Sequence, residues 1–176
     1  RMLNLLWLLL GGYGVGILLP LCLSGRPGLQ QLTSNVAAIV GTSTGVILGL
    51  LGLTSSEPVT GSLTSTIPLL TFAVRLDPLA AFFALAISLV GLAASIYAIG
   101  YLQHFEGRTS TAAIGSLFNA FLLCMTFVVL ADNAFFFLLA WELMSLLSYF
   151  LVVTEHEKAE VRYAGLFYLI MTHIGT

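Results

Sequence analysis

Five apolar runs, each close to the length needed to cross a bilayer and almost free of charge, decide what this chain can fold into. They are Leu3–Leu23, Val36–Leu53, Pro78–Leu102, Ala113–Leu130 and Asn133–Val153, and a sixth opens at Arg162. A hydrocarbon core about 30 Å thick takes roughly 20 helical residues. Within it every backbone N–H and C=O must find a partner inside the segment, which leaves the helix as the answer for each run. Of the 176 residues, 59% are hydrophobic and 8% charged, where a soluble domain carries about 25% charged. The mean hydropathy is +1.03. The expected fold is all-α: one polytopic transmembrane helix bundle of about six spans over residues 1–176. The chain opens at Arg1 and stops at Thr176 within an apolar run, so it is expected to be the N-terminal part of a longer protein. The first run is longer than the 7–15 apolar residues of a secretory signal and is followed by a poor cleavage site, so it reads as a span.

Composition also sets aside several function classes. A net charge of −2 offers nothing to nucleic acid. Cys22 and Cys124 both fall in apolar spans, too few and too far apart for a disulfide framework or a metal centre. A glycine-rich phosphate loop, a histidine-rich metal motif and a nucleophile-and-base arrangement are all missing. Neither cofactor nor metal is expected.

The connections give the order of the bundle. Residues 54–77 form the longest linker, rich in Ser and Thr, and its stretch Ile67–Val74 is apolar and β-prone, suited to a short extracellular hairpin. Asp77 can cap the third span, with Pro78 at its first position. Asp132 and its neighbours alone separate spans four and five, which makes those helices antiparallel neighbours and Asp132 the expected N-cap of span five. Arg26, Arg108, Lys158 and Arg162 gather on one side, against Arg1 and Arg75 on the other. The side richer in Lys and Arg is cytoplasmic, which puts the N-terminus outside. Gly41, Gly45 and Gly49, with Gly52 beside them, and Gly12 with Gly16 have the spacing that lets helix backbones approach in lipid.

One residue breaks the apolar pattern. Glu142 is the only charged group between Asn133 and Val153, and an acid at the centre of a span costs roughly 2.5–3.5 kcal/mol. Chains that keep such a group generally use it to move ions or protons. Ser145 and Tyr149 fall on its helical face and Ser148 flanks that stripe. Hydroxyls so placed can hydrogen-bond a carboxylate or hold water beside it. Burial without a partner favours a neutral carboxyl group; a cation within about 4–6 Å favours the ionised form. A partner that moves or changes charge would therefore load and unload a proton.

His173 is the candidate partner. It lies about 14 residues, or about 21 Å, from the cytoplasmic end of span six, and Glu142 about nine residues, or about 14 Å, from the outer end of span five. Across a core near 30 Å the two depths differ by only about 5 Å. His173 would act as a proton relay, or else make a single interhelical hydrogen bond. The charged loops Thr154–Arg162 and His104–Arg108 read as solvated cytoplasmic turns, with proton entry or contact with a neighbouring subunit as the alternative.

From Arg75 onward the chain resembles the antiporter-like membrane subunits shared by respiratory complex I, multisubunit cation/proton antiporters and membrane-bound hydrogenases. The segments that carry this are Arg75-Leu-Asp-Pro-Leu79, LADNAFFFLLAWELMSLLSYFLVVTEHE and RYAGLFYLIMTHIGT. Together they look most like the hydrogenase-4 component B, or formate hydrogenlyase subunit 3, branch. The resemblance implies a proton-translocating subunit with Glu142 as its proton carrier, paired with a lysine on a seventh span that this chain does not reach. It implies no redox centre in the subunit itself, electron transfer belonging to other membrane and peripheral subunits. Complex I relatives can carry Arg and Asp where this chain has His173 and Thr176, a departure that points toward the hydrogenase branch. The implied setting is a bacterial or archaeal cell membrane, with protons, or alternatively sodium, as the ion moved. A cation/proton antiporter subunit and a purely structural anchor are the other readings.

Overall fold

A computed structural model describes residues 2–23, 25–55, 57–64, 71–101, 111–155 and 159–175. Six helices carry the architecture: α1 (Met2–Cys22), α2 (Pro27–Leu53), α3 (Pro78–Tyr101), α4 (Thr111–Leu130), α5 (Ala134–Val152) and α6 (Ala159–Gly175). Five of them, α1 to α5, are long and apolar enough to cross a membrane. Large apolar side chains such as Leu18, Val90 and Phe150 point outward, as a lipid-facing surface requires. The chain is an all-α multi-pass membrane protein with one short hairpin.

Helix α2 is the hub, packed against α1, α3 and α4. Its glycines make the close approach to α1 possible. The Tyr13 ring lies against Gly41, where an added Cβ would stand 2.6 Å from Cε1. A Cβ on Gly16 would collide with the Asn119 carboxamide, whereas one on Gly12 would meet Gly41 at an ordinary 3.6 Å. Between lipid-facing helices tight van der Waals contact and interhelical hydrogen bonds replace the hydrophobic effect as the source of cohesion. Asn119 Nδ2 donates to the carbonyls of Ser34 (3.1 Å) and Gly115 (2.9 Å), and Ser116 Oγ donates to Ile17 O (2.9 Å). These bonds tie α4 to both α2 and α1.

One end of the bundle is closed by the hairpin. Strands β1 (Val59–Thr64) and β2 (Thr71–Leu76) pair antiparallel from Val59↔Leu76 to Thr64↔Thr71. The segment Ile67–Leu70, Arg1, His104, Glu106, Arg108 and Lys158 lie outside the described residues. Strand β2 also grips the α4–α5 turn: Val74 bridges to Ala131, and Asp132 N donates to Ala73 O at 2.9 Å. Asp77 caps α3 as its position suggests, its Oδ1 accepting from Ala80 N at 2.8 Å.

The cap of α5 is a correction. Asn133, not Asp132, holds the N-cap: its backbone is extended and its Oδ1 accepts from Phe136 N at 2.7 Å. The bond from Asp132 N to β2 fixes Asp132 one residue before the N-cap, with its carboxylate 4.0 Å from Arg75. Asn133 Nδ2 meanwhile donates to Thr71 O at 2.6 Å. An amide can accept for the cap and donate to the strand at once; an ionised carboxylate only accepts.

Candidate functional site

Helix α5 is apolar from end to end except for its middle. Asn133 starts it, Phe136 and Ala140 seat it in the bundle, and Glu142 follows on the side that faces α6. Helix α6 runs back antiparallel beside it. Gly165 lets the two helices come together, because a side chain there would run into Val153 and Tyr149.

The seam between α5 and α6 brings the two titratable candidates into contact. Glu142 Oε2 lies 3.5 Å from His173 Nε2. That is ion-pair distance when the ring is protonated, and a small movement short of a hydrogen bond. The ring is oriented from its other side, where Nδ1 sits 3.0 Å from Leu169 O. A carbonyl can only accept, so Nδ1 carries the hydrogen in this contact and Nε2 is the nitrogen that faces Glu142. In this chain the pair is partly open, 37% exposed at Glu142 and 47% at His173.

Toward the opposite end from the hairpin, hydroxyls continue the seam. Ser148 Oγ donates to Ser145 O at 2.7 Å and lies 2.7 Å from the Tyr168 hydroxyl. With its one hydrogen committed to the Ser145 carbonyl, Ser148 accepts the Tyr168 O–H. Ser145 is buried, and its own hydroxyl donates to Trp141 O at 3.0 Å rather than to Glu142. Tyr149 lines the seam with its ring, over Gly165.

Of the sequence candidates, then, Glu142 and His173 meet directly. Ser148 pairs with Tyr168 farther along the same seam, Ser145 turns to its own helix, and Tyr149 contributes a wall. Tyr168 was missed. The signal for it lay in antiparallel register: facing partners keep a nearly constant sum of residue numbers, as 142/173, 148/168 and 149/165 do. Among the described residues no group of three or more His, Cys, Asp or Glu side chains is placed to hold a metal ion.

Comparison with known proteins gives consistent matches. The family described as NADH-ubiquinone oxidoreductase (complex I), chain 5 N-terminus, matches residues 69–111. Hydrogenase-4 component B of Escherichia coli K12 is 32% identical over 152 residues, 85% of this chain and 22% of that protein. F(420)H(2) dehydrogenase subunit L of Methanosarcina mazei is 36% identical over 100 residues, 57% of this chain and 14% of that protein. NADH-ubiquinone oxidoreductase chain 5 of Candida parapsilosis is 27% identical over 107 residues, 61% of this chain and 19% of that protein. The chain thus spans about a fifth or less of the length of these three relatives.

Proposed function

We propose that this chain, which belongs to the antiporter-like membrane subunits of the complex I, cation/proton antiporter and hydrogenase superfamily, carries the inner part of a proton path in a membrane oxidoreductase complex. The observation that supports this reading is the 3.5 Å approach of Glu142 to His173 at mid-depth of an otherwise uncharged span. A carboxyl group and an imidazole at that distance can share one proton in two ways, as neutral acid and neutral ring or as carboxylate and imidazolium. In the second form each charge favours the other. Displacing His173, or bringing a third charge beside it, would shift the proton between them.

Glu142 is the proton carrier in this proposal and His173 its relay. Ser148 and Tyr168 form the hydroxyl rung below the pair, with Ser145 and Tyr149 lining the same seam. The end opposite the hairpin, which holds Arg26 and Arg162, is cytoplasmic, and the N-terminus is outside. The setting is a bacterial or archaeal cell membrane, and the complex is of the hydrogenase-4 or formate hydrogenlyase type. Electron transfer is left to partner subunits.

The similarity to an antiporter subunit from Staphylococcus saprophyticus, 33% identical over 101 residues, supports one alternative: exchange of protons for another cation without electron transfer. The deciding experiment follows proton movement by a pH-sensitive dye in vesicles holding the full-length protein in its complex. Movement that needs the electron donor and disappears with Glu142→Gln supports the proposal. Sodium-driven movement without a donor favours the antiporter, and full movement in the variant removes Glu142 from the path.

A further inference from the structure

Away from the α5–α6 seam, a cleft of about 570 Å³ opens between α3 and α5, with α4 as its floor. Its volume is in the range of ligand pockets, and it differs in character from top to bottom. The rim, at the hairpin end, is made by Arg75, Asp77 and Asp132. The walls below are apolar, among them Phe83, Val128, Phe137 and Trp141. A charged rim at the end of the spans above an apolar trough is the division of a phospholipid, with its head at the surface and its chain along the helices.

We propose that this cleft is a site for a zwitterionic phospholipid whose head carries a primary ammonium. The charges at the rim select the head. One guanidinium stands between two carboxylates, 3.9 Å from Asp77 and 4.0 Å from Asp132. Both separations exceed hydrogen-bond length, so neither carboxylate engages the planar fork that suits a phosphate. Among the described residues the rim also holds one more anion than cation, which leaves a place for an ammonium. Arg75 would take the phosphate, and Asp77 and Asp132 the ammonium. An ammonium with hydrogens can donate to those carboxylates, whereas a trimethylated one cannot. An anionic head such as that of phosphatidylglycerol offers the two aspartates hydroxyl donors but no positive charge. Trp141 and Phe137 flank the upper chain. This site is separate from the proton path and does not depend on it.

The test uses the full-length protein in its complex, reconstituted into vesicles with photoactivatable phosphatidylethanolamine, phosphatidylcholine or phosphatidylglycerol bearing the same chain-borne diazirine. Labelled peptides are mapped by mass spectrometry. The expected result is about tenfold more label from phosphatidylethanolamine than from either other lipid on the peptides carrying Phe83, Val128 and Trp141, the weight of one charge-assisted hydrogen bond. In the double variant D77N/D132N that excess falls to the phosphatidylcholine level, and Arg75→Gln lowers labelling while Arg75→Lys restores part of it. Equal labelling from all three heads means unselective boundary lipid and overturns the proposal. No label from any of them means that a protein neighbour covers the cleft, and overturns it as well. The headgroup comparison is made on the unaltered protein and stands whatever the variants do to folding.

Discussion

His173 turns Nε2 to within 3.5 Å of Glu142 Oε2 while its Nδ1 stays 3.0 Å from the carbonyl of Leu169. The second contact sets the ring angle from within α6 itself, so the imidazole is aimed at the carboxylate without help from α5. Partial exposure of both groups limits what the pair contributes to stability, because an ion pair open to its surroundings is worth about 1 kcal/mol or less.

Glu142→Gln should therefore abolish proton movement and yet change unfolding stability by less than about 1 kcal/mol. Paired measurements of dye-reported transport and thermal unfolding of the purified complex check this. If the two residues act on one proton, His173→Gln should give a similar transport defect, and the double variant should be no worse than either single one. Additive losses would mean that they serve different steps.

Tyr168→Phe removes the donor that Ser148 accepts. The variant should lose about 1 kcal/mol of stability, the net value of one hydrogen bond, and slow transport without stopping it. Ser148→Ala should do the same. Transport at the unaltered rate in both would take the hydroxyl rung out of the path.

At the head of α5, Asn133→Ala loses the cap on Phe136 N and the bond to Thr71 O together. The expected cost is about 1–2 kcal/mol, read as a lower unfolding temperature and faster proteolysis of the hairpin. Asp132→Ala, which removes an exposed pair at 4.0 Å, should cost less than about 1 kcal/mol. The reverse order would restore Asp132 as the cap.

The glycines separate cleanly. Gly41→Ala drives a methyl into the Tyr13 ring and Gly16→Ala drives one into the Asn119 carboxamide, each expected to cost about 1–3 kcal/mol by overpacking. Gly12→Ala and Gly14→Ala should be tolerated, since the first meets only ordinary contact and the second nothing within 4 Å. In a helix interior such a change can even add up to about 1 kcal/mol. Denaturation of the four variants in one detergent would rank them.

The spans were legible because a bilayer imposes one length and one polarity on every crossing, and the runs from Leu3 to Val153 obey both. Glu142 stood out for the same reason, as a lone departure from the rule. The cap of α5 was harder to read. Asp132 and Asn133 are adjacent and both cap well, and the choice between them rests on a hydrogen bond to Ala73, far away in sequence. Tyr168 was hidden because a tyrosine in a lipid-spanning helix is ordinary; only the register of α6 against α5 gives it a partner. Gly12 and Gly16 share one motif, yet only Gly16 lies beneath a neighbouring side chain that an added methyl would strike. Spacing names a face of a helix, and what rests on that face depends on the rest of the bundle.

The latch between β2 and the start of α5 has a mechanical corollary. With Asp132 and Asn133 both bonded to the strand, the head of α5 is moored to the same platform that joins α2 to α3. A displacement of the hairpin would therefore pass directly to the head of α5, about two and a half turns from Glu142.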